Sequence, residues 1–450
     1  VNRTRTATVA ASVAWVLAAT WLQLMRGPGL RAYDVVWAED GGVFLNQAMR
    51  HSLWHNLVTP HAGYLQVIAK LIAQPVAALP LAWAAAALAT GAALVVALIS
   101  LLVWFHSGRV LRSPWARVLV TAVVPLLPQA GFEVNAAVND LHWYLAYAAF
   151  WVLVAPPRSV AGQVGSAAVV ALAALSDPLT ALVLPAAIVG IVRSPRRLLA
   201  CVTPAVMLVA LAVQGWVHLT RAAGYRASET VLGELPSIYG LRVLLSALTG
   251  DRLLGPVYQW AGLVLVAVVG AVAALVAGFL LWRADRVGRQ VAAVGLVCSV
   301  AYLVVPVGLR GTGGFLERAE FSLNGSRYTI VPLLLLWVAV AALLDRLRPR
   351  TVVGGVVAVF LSVQVLSDWA APSVRTGGPS WRASVAEARA ACSAPARPSQ
   401  PAPLVAEEDG RYAVPIVPGP DDVTIVVAPV PPPGEPLLFA VVAPCAEVRG

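Results

Sequence analysis

Long runs of Val, Ala and Leu alternate along the chain with short polar turns, and the turns are of two kinds. One kind is rich in arginine: Arg3/Arg5, Arg109/Arg112/Arg117, Arg158, Arg193/Arg196/Arg197, Arg283/Arg286/Arg289 and Arg346/Arg348/Arg350. The other kind gathers the acids, histidines and aromatic residues. A helix needs about 20 apolar residues to cross a bilayer, and the runs approach that length. The ten-residue alternation of a membrane β-barrel is missing. With the arginine clusters placed on the cytoplasmic side, the predicted spans run approximately over 7–24, 81–105, 118–132, 141–155, 161–175, 179–192, 199–219, 257–281, 290–309, 328–344 and 351–367. This is an all-α polytopic membrane protein of about 11 transmembrane helices, with its N-terminus inside and its C-terminus outside. The first span follows Arg3 and Arg5 like a signal peptide, but no small-residue cleavage site follows it, so it is read as a retained helix.

The segment 63–80 tests that scheme, because counting it as a span would turn most of the arginine clusters outward. Gln66, Lys70 and Gln74 recur at every fourth position and line one helical face, as expected of an amphipathic helix in the outer interface. Residues 42–56 read the same way, with Phe44, Leu45, Ala48, Met49 and Trp54 apolar. The first outer loop, 25–80, is therefore predicted to hold two juxtamembrane helices. Two further outer loops are expected at 220–256 and 310–327. Ser176-Asp177-Pro178 joins two short spans, and Asp177 reads first as a helix N-cap followed by Pro at the first helical position.

The transmembrane domain is assigned to 1–367 and a small extracytoplasmic α+β domain to 368–450. Within the latter a helix is expected over 380–391 and short strands over 412–417, 423–427 and 437–442. Cys392 and Cys445 bracket this segment and are the pair able to form a disulfide outside the cytoplasm. Cys201 and Cys298 fall inside apolar spans.

Composition agrees with the pattern: 59% of the 450 residues are hydrophobic, 12% are charged, and the mean hydropathy is +0.78. The net charge of +10 changes nothing. It sits in the short turns, where it orients a membrane protein, and forms no nucleic-acid patch. The missing repeat symmetry weighs slightly against a transporter.

The candidate chemistry lies on the outer side, since only Asp285 and Asp345 are acidic on the other. In the first outer loop Asp34, Glu39 and Asp40 are joined by His51, His55, His61, Tyr64 and Lys70, the only lysine in the chain. A solvated loop accounts for Asp34 alone. Glu39 and Asp40 directly precede Gly41-Gly42, which permit a tight turn, and a carboxylate held there is suited to general-base work on a hydroxyl. A divalent metal is left open, because two adjacent acids with no third ligand in register are a weak metal signal. The turn "GFEVNAAVNDLHWYL" adds Glu133, Asn135, Asn139, Asp140 and His142, with Trp143 and Tyr144 read as an aromatic belt. The segment "GLRGTGGFLERAEFSLNGSRYTI" adds Arg310, Glu317, Arg318, Glu320, Asn324, Arg327 and Tyr328. Arg327 opens a span from outside, where guanidinium and helix N-terminus together suit a phosphate.

An inside N-terminus, an acidic first outer loop followed by juxtamembrane helices, many spans and an outer C-terminal domain resemble the GT-C superfamily of integral membrane glycosyltransferases. The blocks "WAEDGGVFLNQA", "HAGYLQVIAK", "NDLHWYL" and "GSRY" are similar to blocks of its actinobacterial members. The resemblance implies transfer of a sugar from a polyprenyl-phosphate donor to a glycan, lipid or protein acceptor on the outer face of the cytoplasmic membrane, in cell-envelope assembly. It implies a base at Asp40 or Glu39, with Asp34 third. It implies a lipid-phosphate role for Arg327, and after it Lys70 or Arg318. His61, Tyr64, Asn139, Asp140, His142 and Tyr328 complete the expected site. Direct displacement with inversion is the simplest expectation, and a transporter or flippase of a lipid-linked glycan is the alternative.

Overall fold

In the computed structural model, the structure describes residues 2–131, 133–221, 229–316, 326–345, 350–369, 371, 373–394, 418–431, 437 and 439–449. The chain is mostly helical. Helix α1 (Asn2–Leu24) leads into the segment expected as the first outer loop, with α2 (Asn46–Arg50), α3 (Leu53–Val58) and α4 (Val67–Val76). There follow α5 (Ala84–Ser107), α6 (Pro114–Leu126), α7 (Leu141–Val154), α8 (Val160–Ser176), α9 (Pro185–Arg193), α10 (Arg197–Ala200) and α11 (Val202–Arg221). Next come α12 (Leu235–Tyr239), α13 (Ser246–Arg283), α14 (Arg286–Arg310), α15 (Ser326–Leu344) and α16 (Arg350–Trp369). The C-terminal segment holds α17 (Trp381–Ser393), strands β1 (Asp422–Val426) and β2 (Ala440–Pro444), and α18 (Cys445–Arg449).

Among the described residues, six stretches are long and apolar enough to cross a membrane: Thr6–Leu24, Leu81–Ser107, Arg197–Thr220, Leu232–Arg283, Arg286–Arg310 and Arg327–Leu344. Helices α4, α7 and α8 and the stretch Gly354–Trp369 are apolar but shorter. The sixth expected span, 179–192, is a 3-10 turn over Pro178–Val183 followed by the nine residues of α9. The outer loop expected over 220–256 is helical from Leu232 onward.

Helix α7 is the hub. All of its residues are buried, and its apolar side chains cover every face, as a helix enclosed by other helices requires. Trp143 and Tyr144, expected in an aromatic belt, are therefore core residues at 4% and 2% exposure. Around it α14 and α15 form the closest antiparallel pair. A side chain at Gly288 or Gly295 would meet the Ala342 or Leu335 carbonyl at 3.1 or 3.2 Å, so glycine lets the two backbones touch. That contact brings Arg310, at the end of α14, beside Arg327 and Tyr328 at the start of α15.

The turns bearing Arg109, Arg112, Arg158 and Arg196 lie at the opposite end of α7. Arg109 Nη1 and the His106 ring both reach the Ala155 carbonyl at 3.0 Å. The Arg112 and Ser113 N–H groups donate to Asp345 at 2.9 and 2.6 Å, and Arg196 donates to the Arg158 carbonyl at 2.9 Å.

The first outer segment departs from two simple amphipathic helices. Residues Asp40–Leu45 form a π-helical turn that runs into α2, and α3 starts afresh behind Ser52, whose hydroxyl accepts the His55 N–H at 3.4 Å. Gly41 and Gly42 do not make a left-handed turn. A Cβ on Gly41 would stand 2.5 Å from Val36 and 3.0 Å from Val441, and one on Gly42 would stand 3.1 Å from Phe439. The pair is needed for close approach to the C-terminal segment. The polar row of α4 likewise faces protein: Lys70 donates to the Thr59 carbonyl and Gln74 to the Ala48 carbonyl at 3.2 Å.

The C-terminal segment is clasped onto that loop. Its antiparallel β1–β2 pair covers α17, whose N-cap Ser380 lies one residue before it. Cys392 and Cys445 are bonded, with Cα atoms 5.5 Å apart. The third expected strand, 412–417, lies outside the described residues. Asn46 acts as a two-pronged clamp, donating to the Ala440 carbonyl at 2.8 Å and accepting the Val442 N–H at 2.9 Å. Asp34 accepts from Ser380 Oγ at 2.8 Å and from the Arg382 N–H at 3.1 Å. Trp381 donates to the Leu81 carbonyl at 2.8 Å.

Because Asn46 satisfies two buried groups of β2, Asn46→Ala is expected to cost about 2–4 kcal/mol, at roughly 1–2 kcal/mol per orphaned group. The thermal midpoint of the detergent-solubilised protein should fall by several degrees, and an unchanged midpoint would count against the clamp. Non-reducing electrophoresis should show faster migration than the Cys445→Ser variant, since the bridge closes a loop across 53 residues.

Candidate functional site

At the end of α7 remote from those turns, a cavity of about 500 Å³ is lined by residues from seven stretches of the chain. Two other cavities, between α6, α15 and α16 and between α1, α5 and α6, are walled mainly by Ala, Val, Leu and Trp and hold no titratable side chain. Convergent polar groups in a concave pocket are the mark of a binding site, and only the first cavity has them among the three.

Its floor is the turn before α7. Asp40 sets this turn: its two oxygens accept the adjacent N–H groups of Val138 and Asn139 at 2.9 and 2.7 Å. Arg375, from the C-terminal segment, donates to the Asn135 carbonyl at 2.6 Å. The turn then presents Asn139, Asp140, His142 and Trp143 to the cavity. Asp140 Oδ1 accepts the Trp143 indole N–H at 3.3 Å, and His142 Nδ1 meets the Asn139 carbonyl at 2.7 Å.

One wall is the hairpin His61–Tyr64. His61 and Tyr64 exchange backbone hydrogen bonds of 2.9 and 3.1 Å, and Ala62 and Gly63 take φ of 50° and 85°, the positive values that a primed two-residue turn demands. Gln66 is also left-handed, with φ 53°. A non-glycine residue there costs about 1–2 kcal/mol, and such strain concentrates at functional sites. The fold over-determines it: Leu65 N–H donates to Gln214 Oε1 at 3.2 Å and Ile68 N–H to Ser176 Oγ at 3.0 Å.

The facing wall carries the cations. Arg310 donates to the Tyr328 hydroxyl at 2.7 Å, and the Arg327 guanidinium lies 5.8 Å from the Tyr328 ring centre. That ring packs edge-on against Trp143 at 5.7 Å. Glu133 Oε1 accepts the Arg327 N–H at 3.1 Å, occupying the helix terminus that had been expected to hold a phosphate.

Glu39, half-buried, reaches the cavity from the acidic loop. Burial raises its carboxyl above the usual range, while Arg327 pulls it down. Burial lifts Asp140 well above its ordinary value and Asp177 to about 7. Asp40 is pushed up to about 6 by burial, against Arg375 and its two backbone donors. Burial drops His61 to about 4, so it is neutral at pH 7.

Of the residues expected at the site, Glu39, His61, Tyr64, Asn139, Asp140, His142, Arg327 and Tyr328 meet in this cavity. Three do not. Asp34 caps α17, Lys70 serves the Thr59 carbonyl, and Asp40 lies behind the floor at 1% exposure with both oxygens spent on backbone. Arg318 lies outside the described residues. Gln66 and His218 line the cavity without having been expected there, and Asp177, read first as a cap with a substrate role as the second reading, lines it as well. Asp177 does cap its helix as read, through Leu179 N–H at 2.8 Å. Among the described residues, no three His, Cys, Asp or Glu side chains converge as a metal-binding group.

No protein-family model, curated protein or solved structure matches this chain.

Asp40 and Asp177 hold protons in the folded protein that a freely solvated carboxyl releases near pH 4. Their contribution to stability is fully present below about pH 4, declines as the pH rises, and is gone above about pH 7. The thermal midpoint of wild type relative to Asp177→Asn, in detergent, should therefore fall from pH 5 to pH 8. A relative midpoint that climbs over this interval would contradict the assignment.

Proposed function

We propose that this protein is a membrane glycosyltransferase that moves a sugar from a polyprenyl-phosphate donor to an acceptor on the outer face of the cytoplasmic membrane. The observation that carries the reading is the meeting of one accessible carboxylate, Glu39, with the Arg310/Arg327 pair and the Trp143, Tyr328 and Tyr64 rings in a single cavity. Glu39 takes the proton of the acceptor hydroxyl as its oxygen attacks the anomeric carbon. The bond from that carbon to the phosphate oxygen breaks, and the phosphate leaves with the electron pair. Arg310 and Arg327 stabilise the charge that develops on it. Aromatic faces suit the C–H faces of a sugar ring, and a water-poor cavity strengthens each electrostatic contact.

The choice between the adjacent acids falls on Glu39, since Asp40 has no oxygen left for a substrate. Asp40 is a positioning residue that holds the turn bearing Asn139, Asp140 and His142.

The orientation belongs to this reading. Under the eleven-span arrangement, with the N-terminus inside, every lining residue falls at an outward end, while the Arg112–Asp345 and Arg196–Arg158 contacts fall inward. A disulfide between Cys392 and Cys445 suits an oxidising compartment, which agrees with an outer C-terminal segment. A transporter of a lipid-linked glycan finds less support: below the cavity α7 is buried on every side and carries Leu, Ala, Tyr, Phe, Trp and Val.

Membranes containing the protein should transfer label from one member of a panel of polyprenyl-phosphate sugars. Glu39→Gln should lower the rate by about 10²–10⁴-fold with little change in donor affinity. Arg327→Gln should weaken donor binding as well as turnover. Asp40→Asn should lower the thermal midpoint more than Glu39→Gln does. Undiminished transfer by Glu39→Gln would remove the proposed base.

A further inference from the structure

Ser176-Asp177-Pro178 accounts for half of the Asp177 carboxylate. Oδ1 accepts the Leu179 N–H at 2.8 Å as the N-cap of the following turn. Oδ2 is buried and has no hydrogen-bond partner. Two other oxygens on residues lining the same cavity are in the same condition, Gln66 Oε1 and Asp140 Oδ2. The three side chains are 2%, 3% and 1% exposed respectively. They arrive from separate elements: Asp177 from the link between α8 and α9, Gln66 from the left-handed position before α4, and Asp140 from the turn before α7.

Buried polar atoms in folded proteins are nearly always paired, so each exception asks for an explanation. Three exceptions in one cavity share one explanation. Gln66 Oε1 is an acceptor, and the carboxyls of Asp140 and Asp177, which burial biases toward the protonated form, accept or donate. The partner they lack must do both. A phosphate cannot serve Gln66, being an acceptor of negative charge, and Arg310 and Arg327 on the facing wall are its natural partners. A cationic amine would be repelled by the same two guanidinium groups. A group with several neighbouring hydroxyls is neutral and both donates and accepts. The cavity thus divides into a cationic part and a neutral polar part.

We propose that Gln66, Asp140 and Asp177 form a hydroxyl-recognising subsite that binds the polyhydroxylated ring of the ligand, with Asp177 in direct contact and setting selectivity. This rests on the glycosyltransferase reading and adds to it the residues that grip the sugar, as distinct from its phosphate.

The test separates the two. Full-length protein in nanodiscs is titrated with farnesyl phosphate and with farnesyl phosphates carrying a hexose or a pentose. Wild type should bind at least one glycosylated probe about tenfold more tightly than farnesyl phosphate. Asp177→Asn keeps an oxygen for the Leu179 N–H and fixes a donor where the carboxyl can both accept and donate. It should fold with a thermal midpoint at least that of wild type, keep its affinity for farnesyl phosphate, and lose most of the tenfold preference. Gln66→Leu should reduce the preference in the same way. Retention of the full preference by both variants overturns the subsite and leaves the glycosyltransferase reading standing. Equal binding of all probes by wild type does the same. Failure of wild type to bind any probe overturns the polyprenyl-phosphate reading and the subsite with it.

Discussion

The carboxylate of Asp40 holds the cavity end of the molecule together. Its two oxygens take the N–H groups of Val138 and Asn139, which tie the segment between α1 and α5 to the turn that opens α7. A buried carboxyl placed on two consecutive backbone donors leaves that turn a single conformation. Everything the cavity presents from its floor inherits that choice, because Asn139, Asp140 and His142 follow within a few residues. The neighbouring acid is thereby freed for another use. With Asp40 turned toward the backbone, the helical geometry sends Glu39 elsewhere, and it reaches the cavity. Two like residues side by side thus divide into an anchor and a half-buried group that lines the cavity.

The second constraint comes from the far end of the chain. Asn46 binds β2 on both edges of its amide, Asp34 caps α17, and Arg375 enters the floor turn through the Asn135 carbonyl. Gly41 and Gly42 carry no side chain where Val441 and Phe439 press against them. The C-terminal segment is a buttress for the first outer segment. A small sheet of two strands could not hold its shape alone, and here it borrows its support from the loop that it stiffens.

The features legible in the sequence are those decided by neighbours in the chain. The arginine turns, the helix behind Ser380, the Asp177 cap and the pairing of Cys392 with Cys445 all rest on spacing or local chemistry. Eight of the expected site residues also meet, because acids and aromatics beside apolar spans have few places to go. What misled was contact over long separations. Asp34 is spent on a helix 346 residues later, and no local pattern marks it as a cap. Gly41-Gly42 looks like a turn until Phe439 is brought against it. Trp143 and Tyr144 have the composition of an interface belt, yet α7 lies at the centre of the bundle. Gln66 counted as one polar position of an amphipathic face, whereas it stands just before the helix in a left-handed conformation aimed at the cavity.

The clasp between Arg375 and the Asn135 carbonyl spans 240 residues, and this sets an order of events during synthesis. The helices around α7 can be inserted and packed well before Arg375 has left the ribosome. Until that arginine and the strands beyond it arrive, the floor turn lacks its second brace and Asn46 has nothing to clamp. The contacts that brace the acidic loop and the floor turn from the C-terminal side therefore become available only once the last quarter of the chain has been made.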